Sequence, residues 1–208
     1  MAVEAEQQGQ DADTETRSRI LSAAFGLFME KGYAGVSTLD IATRAKVSKR
    51  DLYALVGNKQ AIFQACVATR SSRMAAPGAG PPPATGAELA AALTRFGEGL
   101  LRELLHPAVI GVHRLVIAEG DRSPELGVEM ARVRRSNEAA VGRLIGDAQG
   151  RGLVVGGDTD AMAEQFLDLL GGSRMLLSVL AGGEAPTPGD QARRAADAAA
   201  AFVDLHGA

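Results

Sequence analysis

Ser37-x-x-Asp40 recurs as Ser48-x-x-Asp51, eleven residues further on. A serine three residues ahead of an acid marks a helix start: the hydroxyl accepts an N–H of the first turn, and the acid reaches back to the cap amide. Two such starts so close together leave room only for a short helix, a turn centred on Lys46-Val47, and a second helix from about Lys49. Two short helices joined by a tight turn form the helix-turn-helix pattern, whose second helix can enter the major groove of duplex DNA. Ile41, Ala42 and Ala45 supply the inner face of the first helix. Leu52 and Val56 supply that of the second, leaving Lys49, Arg50 and Tyr53 to face outward.

The flanking sequence completes a small helical domain over residues 14–76. Ile20, Ala23, Ala24, Leu27 and Phe28 fall on one apolar stripe of a helix. Gly32 suits the left-handed residue that ends it, and Tyr33 packs back on the stripe. A fourth, connecting helix is expected from about Lys59 to Ala76, with Ile62, Phe63, Cys66 and Val67 inward. Residues 1–13 are polar and acidic and read as a disordered tail without the features of a signal peptide. The run "PGAGPPPATG", 77–86, excludes a helix and reads as a linker.

Residues 87–208 read as a larger helical domain. Helices are expected over about Ala87–Leu105, Ala108–Ala118, Pro124–Gln149, Asp158 or Thr159 to Ala181, and Asp190–Leu205. Gly171-Gly172 lies inside the fourth of these, where close packing or a kink would offset the low helix propensity of glycine. No period-2 segment is long enough for a sheet, so the fold class is all-α. No apolar run reaches the length of a bilayer span.

Charge separates the segments. Residues 1–13 carry −4, residues 14–76 carry +6 with all four lysines, and residues 77–208 carry −5, giving the net −3. A basic module beside an acidic one places a polyanion partner on the first. Three histidines and one cysteine leave little material for catalysis. Cys66 lies on an apolar helix face as an inert thiol. "ELLH", Glu103 to His106, is a single Glu-x-x-His motif where a di-iron bundle needs two. "GAGPPPATG" lacks the strand and lysine of a phosphate loop. An enzyme, a metal site and a cofactor are therefore not expected.

"RILSAAFGLFMEKGY", "DIATRAKVSK", "LY" and "NKQAIF", in this order between Thr16 and Phe63, resemble the DNA-binding domain of TetR/AcrR-type transcriptional regulators. "RLVIAEGDRSPELG" and "AEQFLDLLGG" resemble the ligand-binding domain of the AefR-like subgroup. The resemblance implies a cytoplasmic, bacterial, homodimeric repressor that leaves a pseudopalindromic DNA operator when a small, largely apolar effector binds. It makes the helix from Lys49 the recognition helix. Lys49 and Arg50 are then the residues for base edges, and Ser37, Ser48, Tyr53 and Lys59 those for the phosphate backbone. Thr38 is assigned to a phosphate or a base, and Arg44 to an outlying phosphate. The ligand pocket is expected among Phe96, Leu100, His113, Ile117, Met130, Val133, Asn137, Phe166, Leu170 and Met175. The dimer contact is expected in the last two helices, the final one being the Ala-rich "DQARRAADAAAAFVDL".

Three positions depart from the family pattern: Leu39 where a polar or basic residue is frequent, Lys46 in place of the turn glycine, and "ALV" at 54–56. A positive φ at Lys46 would carry strain on the order of 1 kcal/mol. These departures leave a second reading, a helical protein-interaction module with degenerate DNA-binding residues.

Overall fold

The computed structural model describes residues 2–71 and 81–208. Among the described residues ten helices follow one another, and the β-structure is limited to an isolated bridge between Val154 and Gly207. No helix among them is long and apolar enough to cross a membrane.

The chain forms two compact units, and they do not follow the chain order expected from the linker. The first comprises Met1–Ser71 with Gly111–Met130, the second Ser72–Ile110 with Ala131–Ala208. The reason lies in burial: Val112, Leu115 and Leu126 are sealed in the same core as Ile20, Phe28, Ile41, Leu52 and Phe63. Of the linker 77–86, residues 77–80 lie outside the described residues, as do 72–76 of the expected fourth helix.

In the first unit, α1 (Ala2–Lys31) carries Ile20, Ala24, Leu27 and Phe28 inward. It starts far ahead of the expected tail boundary and includes residues 2–13. That stretch is rich in Ala, Glu and Gln, and an established helix extends at low cost because nucleation has already occurred further along. Residues 10–15 of this extension are exposed and bury nothing. Gly32 then turns the chain at φ 74°. α2 (Thr38–Ala45) begins at the full capping box of Ser37 and Asp40 and buries Ile41, Ala42 and Ala45. α3 (Lys49–Leu55) starts at Ser48, whose hydroxyl accepts from the Asp51 amide, and buries Leu52. α4 (Lys59–Ser71) is capped by Asn58, whose side-chain oxygen accepts from Ala61 N–H at 2.8 Å. Cys66 on α4 donates to the Leu21 carbonyl, and burial pushes its thiol up to about 12, so it is inert as expected.

The second unit is built on α5 (Gly86–Leu104), α8 (Thr159–Gly171) and α10 (Pro188–His206). Leu89, Leu93, Phe96, Phe166, Leu170 and Phe202 form its centre with Val141 and Ile145 of α7 (Pro124–Gly150). Gly97 lets α5 approach closely: a β-carbon there would lie 3.0 Å from a Leu170 methyl and 3.1 Å from Ala195 Cβ. α6 (Pro107–Glu119) precedes α7 in the chain, and its residues from Gly111 onward belong to the first unit. The helix expected from Asp158 to Ala181 is two helices, α8 and α9 (Ser173–Leu180), broken at Gly172, φ 55°. The Arg194 guanidinium of α10 donates to the Leu169 and Leu170 carbonyls at the end of α8 and occupies the space a β-carbon at 172 would need. The break is thus an arginine-capped helix end rather than a kink.

Lys46 is the non-glycine residue with positive φ among the described residues, at φ 55° and ψ 48°. The turn uses this conformation to bring the Lys46 and Val47 amides onto the Thr43 and Ala42 carbonyls at 3.2 and 3.0 Å. The left-handed geometry costs a β-carbon about 1–2 kcal/mol, partly offset because glycine loses about 0.5–1 kcal/mol more backbone entropy on folding. Lys46→Gly is therefore expected to raise stability by about 0.5 kcal/mol in urea unfolding; a fall in the midpoint would contradict the assigned strain.

Candidate nucleic-acid interface

A helix of seven residues is too short to be stable alone, so α3 must be fixed by its surroundings. Leu52, fully buried, anchors its inner face, and the Ser48 hydroxyl caps its start with a 3.0 Å bond from the Asp51 amide. Leu55 packs partly against the same core, and the polar residues of the helix are directed outward. Lys49, Arg50, Tyr53 and Ala54 are exposed, Tyr53 by 47% of its surface. Lys49 and Arg50 have no ion-pair partner among the described residues, so both cations are available to an incoming anion or base edge.

α2 supplies the flank. The Thr38 hydroxyl lies 3.3 Å from the Tyr53 phenol, which joins the start of α2 to the outer face of α3. These two hydroxyls, with the adjacent Ser37 cap, form a polar edge beside the Lys49-Arg50 pair. Ser37 is occupied in its cap: it accepts from the Asp40 amide at 3.1 Å while Asp40 accepts the Ser37 amide at 2.8 Å. The Ser37 hydroxyl and amide hold the Asp40 carboxyl below the usual carboxylate range. Ser48 is likewise committed to its helix start, its hydroxyl 2.6 Å from the Asp51 carboxylate.

Two residues assigned to phosphate by the sequence are engaged within the protein. Arg44 makes a two-bond ion pair with Glu30 of α1, at 2.8 and 2.9 Å. The pair lowers the Glu30 carboxyl and raises the arginine. Lys59 is half-buried; its Nζ donates to the Tyr33 carbonyl at 3.1 Å and sits 4.4 Å from the centre of the Tyr33 ring. The α4 amides beside it are capped by Asn58, which the sequence reading did not single out although Asn before a helix is a strong cap. Leu39, 60% exposed, lies on this surface as an apolar position.

The ten expected pocket residues divide between the two units. Phe96, Leu100, Phe166 and Leu170 are buried in the second core, with the Phe96 and Phe166 rings 6.4 Å apart. Val133 and Asn137 are half-buried on α7. Met175 lines an open groove of about 450 Å³ with Leu169, Arg194 and Ala198. His113, Ile117 and Met130 belong to the first unit, and Ile117 is 70% exposed, so it is not an inward-facing residue. The missed feature was that residues 111–130 pack with the helix-turn-helix, a long-range contact with no local signal. No cluster of metal-ligating side chains occurs among the described residues.

Comparison with known proteins bears on both units. The family model of bacterial regulatory proteins of the tetR family matches residues 20–66, and that of the C-terminal domain of AefR-like transcriptional repressors matches residues 91–208. The chain is 40% identical over 74 residues to the uncharacterized HTH-type transcriptional regulator YdeS of Bacillus subtilis (strain 168). That alignment covers 35% of this chain and 37% of the relative, so it spans little more than a third of the relative's length. Among solved structures, a TetR transcriptional regulator from Agrobacterium tumefaciens matches with a TM-score of 0.75 and 27% identity, covering 92% of this chain and 94% of that one. The flavonoid-responsive regulator FrrA matches with a TM-score of 0.76 over 93% of this chain and 98% of that one; at 23% identity the likeness shows the fold.

The commitment of Arg44 to Glu30 gives a direct expectation. Arg44→Gln should change affinity for duplex DNA by less than about threefold, because its charge is already paired and exposed pairs contribute little. A loss of tenfold or more in an anisotropy titration would return Arg44 to the phosphate contacts.

Proposed function

Because the chain belongs to the TetR family of bacterial transcriptional regulators, we propose that it is a ligand-responsive repressor that binds a pseudopalindromic operator as a homodimer and is released by a small, largely apolar effector. The observation that carries the DNA-reading part is the outer face of α3: two adjacent cations without an ion-pair partner among the described residues, and a tyrosine, on a helix held by Leu52 and Ser48. Lys49 and Arg50 would make base-edge contacts, since either cation reaches guanine O6 and N7 in the major groove. Tyr53, Thr38 and the Ser37 and Ser48 helix starts would hold phosphates and set the register. The basic charge of residues 14–76 supplies the sequence-independent attraction.

A single recognition helix covers too little surface for a specific site, and a two-fold dimer supplies two, one helical turn or a multiple apart. The dimer contact is placed on α8–α10. Leu169, Leu177 and Leu205 are exposed there by 40%, 64% and 60%. Ala196, Ala200 and Ala201 leave the outer side of α10 low enough for a second helix to approach. The effector site is placed in the second unit, near Phe96, Leu100, Val133, Asn137, Phe166, Leu170 and Met175. There a ligand would shift the population of states towards one whose recognition helices no longer fit the operator. Repression is supported by the match of residues 91–208 to the AefR-like repressor domain. Such a regulator works beside the chromosome, in the bacterial cytoplasm.

Selection of bound duplexes from a random DNA pool, with full-length protein, tests this reading. Enrichment of a pseudopalindrome is expected. Lys49→Ala with Arg50→Ala should then erase preference for that operator, by about 100-fold or more if two bidentate contacts of about 1–3 kcal/mol each are lost, while the fold persists. Equal operator affinity in the double variant would refute the assignment. No enrichment, together with a shallow salt dependence of binding to a protein partner, would favour the interaction-module reading.

A further inference from the structure

A leucine left exposed on a surface of cations and hydroxyls contributes little to the fold. Leu39 keeps 60% of its surface exposed, whereas Ile41, Ala42 and Ala45 of the same helix are buried. Its direction follows from the neighbours of α2 in the first unit. Arg44, which reaches Glu30 of α1, lies about 140° round the helix from Leu39 at 3.6 residues per turn. Thr38, on another side again, lies 3.3 Å from the Tyr53 phenol on the outer face of α3. Leu39 is therefore turned away from α1, next to the residue that meets the outer face of α3. Thr43, one turn further along α2, is exposed on the same side. Its hydroxyl donates to the Leu39 carbonyl at 2.8 Å, so that donor is spent on the helix itself. The start of α2 is held firmly enough to aim a side chain. Ser37 and Asp40 close the capping box, and in the turn before it Tyr33 and Ala34 N–H donate to the two carboxylate oxygens of Glu119, at 2.8 and 2.6 Å.

We propose that Leu39 is a specificity-determining residue that reads the 5-methyl group of a thymine in each half-site. The proposal rests on the DNA-reading assignment of α3 above. The occupant follows from charge and chemistry. Lys49 and Arg50 stand exposed at the start of α3, and Thr38 and Tyr53 supply hydroxyls, so the surface around Leu39 suits a polyanion rather than an apolar protein groove. In the major groove the base edges present hydrogen-bond donors and acceptors together with one apolar group, the C5-methyl of thymine. A leucine cannot bond to the edge of guanine, cytosine or adenine, and covering their polar atoms without a partner is unfavourable. The methyl is the group it can cover at a gain. Leucine in place of the polar or basic residue frequent at this position thus exchanges one base preference for another, and does not simply delete a contact.

The test uses full-length protein and the operator enriched from the random pool. Each thymine of the half-site, with its symmetry mate, is replaced in turn by deoxyuridine, which lacks only the 5-methyl group. For the unmodified protein, one such replacement is expected to weaken binding by about fourfold in a single half-site and about fifteenfold in both, the scale of one buried methyl each. Leu39→Ala should reduce the paired penalty to less than about twofold, while its affinity for the deoxyuridine operator stays within about twofold of the unmodified protein's. Leu39→Asn, similar in size but polar, should behave as Leu39→Ala does. Leu39→Met keeps an apolar end and should retain a paired penalty of about fivefold or more. Val128→Ala, which trims another exposed apolar side chain of the first unit, should keep the full penalty. The proposal is overturned if no thymine methyl matters to the unmodified protein, if the Leu39 variants keep the full penalty, or if Val128→Ala loses it equally. It is also overturned if Leu39→Ala weakens the thymine and deoxyuridine operators alike, the mark of a merely structural role. If the folded protein enriches no duplex at all, the DNA-reading assignment itself fails and the proposal falls with it.

Discussion

The first unit depends on one residue whose every polar group is answered by a different element. Tyr33 lies at 2% exposure at the end of α1. Its amide goes to Glu119 of α6, its carbonyl to Lys59 of α4, and its phenol to Glu125 of α7. Its ring packs 5.3 Å from Phe28 and 5.6 Å from Phe63. Burial and the neighbouring Glu125 push the phenol up to about 12, so it remains a donor throughout the physiological range. Buried backbone groups that leave a helix must find partners, and an unanswered one costs about 1–3 kcal/mol. This turn has no neighbouring strand to answer it, so charged side chains from three other helices do so.

That arrangement explains how a seven-residue helix can serve as a reading head. α3 contributes one buried side chain, Leu52, and one cap. Its position is inherited from α2, whose own start follows directly from the Tyr33 turn. The tight left-handed turn at Lys46 then closes the angle between α2 and α3. Because stability is supplied by Ile41, Ala42, Ala45 and Leu52 underneath, the outer residues of α3 are released from any structural duty. Lys49, Arg50 and Tyr53 are therefore left exposed for the recognition proposed above. Arg44 pairs with Glu30, and Lys59 donates to the Tyr33 carbonyl, so both cations also hold the unit together.

Much of this was legible in the sequence because it is local. The two cap signals at Ser37 and Ser48, the apolar stripe ending at Phe28, and the breaker Gly32 each act within a few residues, and all fall where the pattern puts them. The all-α class follows from the same periodicities. What was not legible is long-range or context-dependent. Residues 2–13 look disordered by composition, yet they extend a helix nucleated by the packed stripe behind them. Val112, Leu115 and Leu126 carry no mark in the sequence that assigns them to the first core rather than the second. The break at Gly172 depends on Arg194 of another helix. Lys59 and Arg44 are basic residues in a basic module, and their partners within the protein, Tyr33 and Glu30, have no signal in the local sequence. Glu119 was passed over because an acid at a helix end has no signature when its partners are amides 85 and 86 residues away.

The central claim is that a carboxylate from α6 pins the turn that positions the DNA-reading helices. Amide hydrogen exchange of Tyr33 and Ala34 in the full chain, read residue by residue by NMR, tests it most directly. Turn amides at a protein surface exchange rapidly unless held, so a bonded pair stands out. The account predicts that both exchange at least about 100-fold more slowly than an unstructured amide, and that Glu119→Gln restores about tenfold or more of that rate in at least one of them without unfolding the unit. Rapid exchange of both amides in the unmodified chain, or slow exchange that Glu119→Gln leaves unchanged, would contradict it.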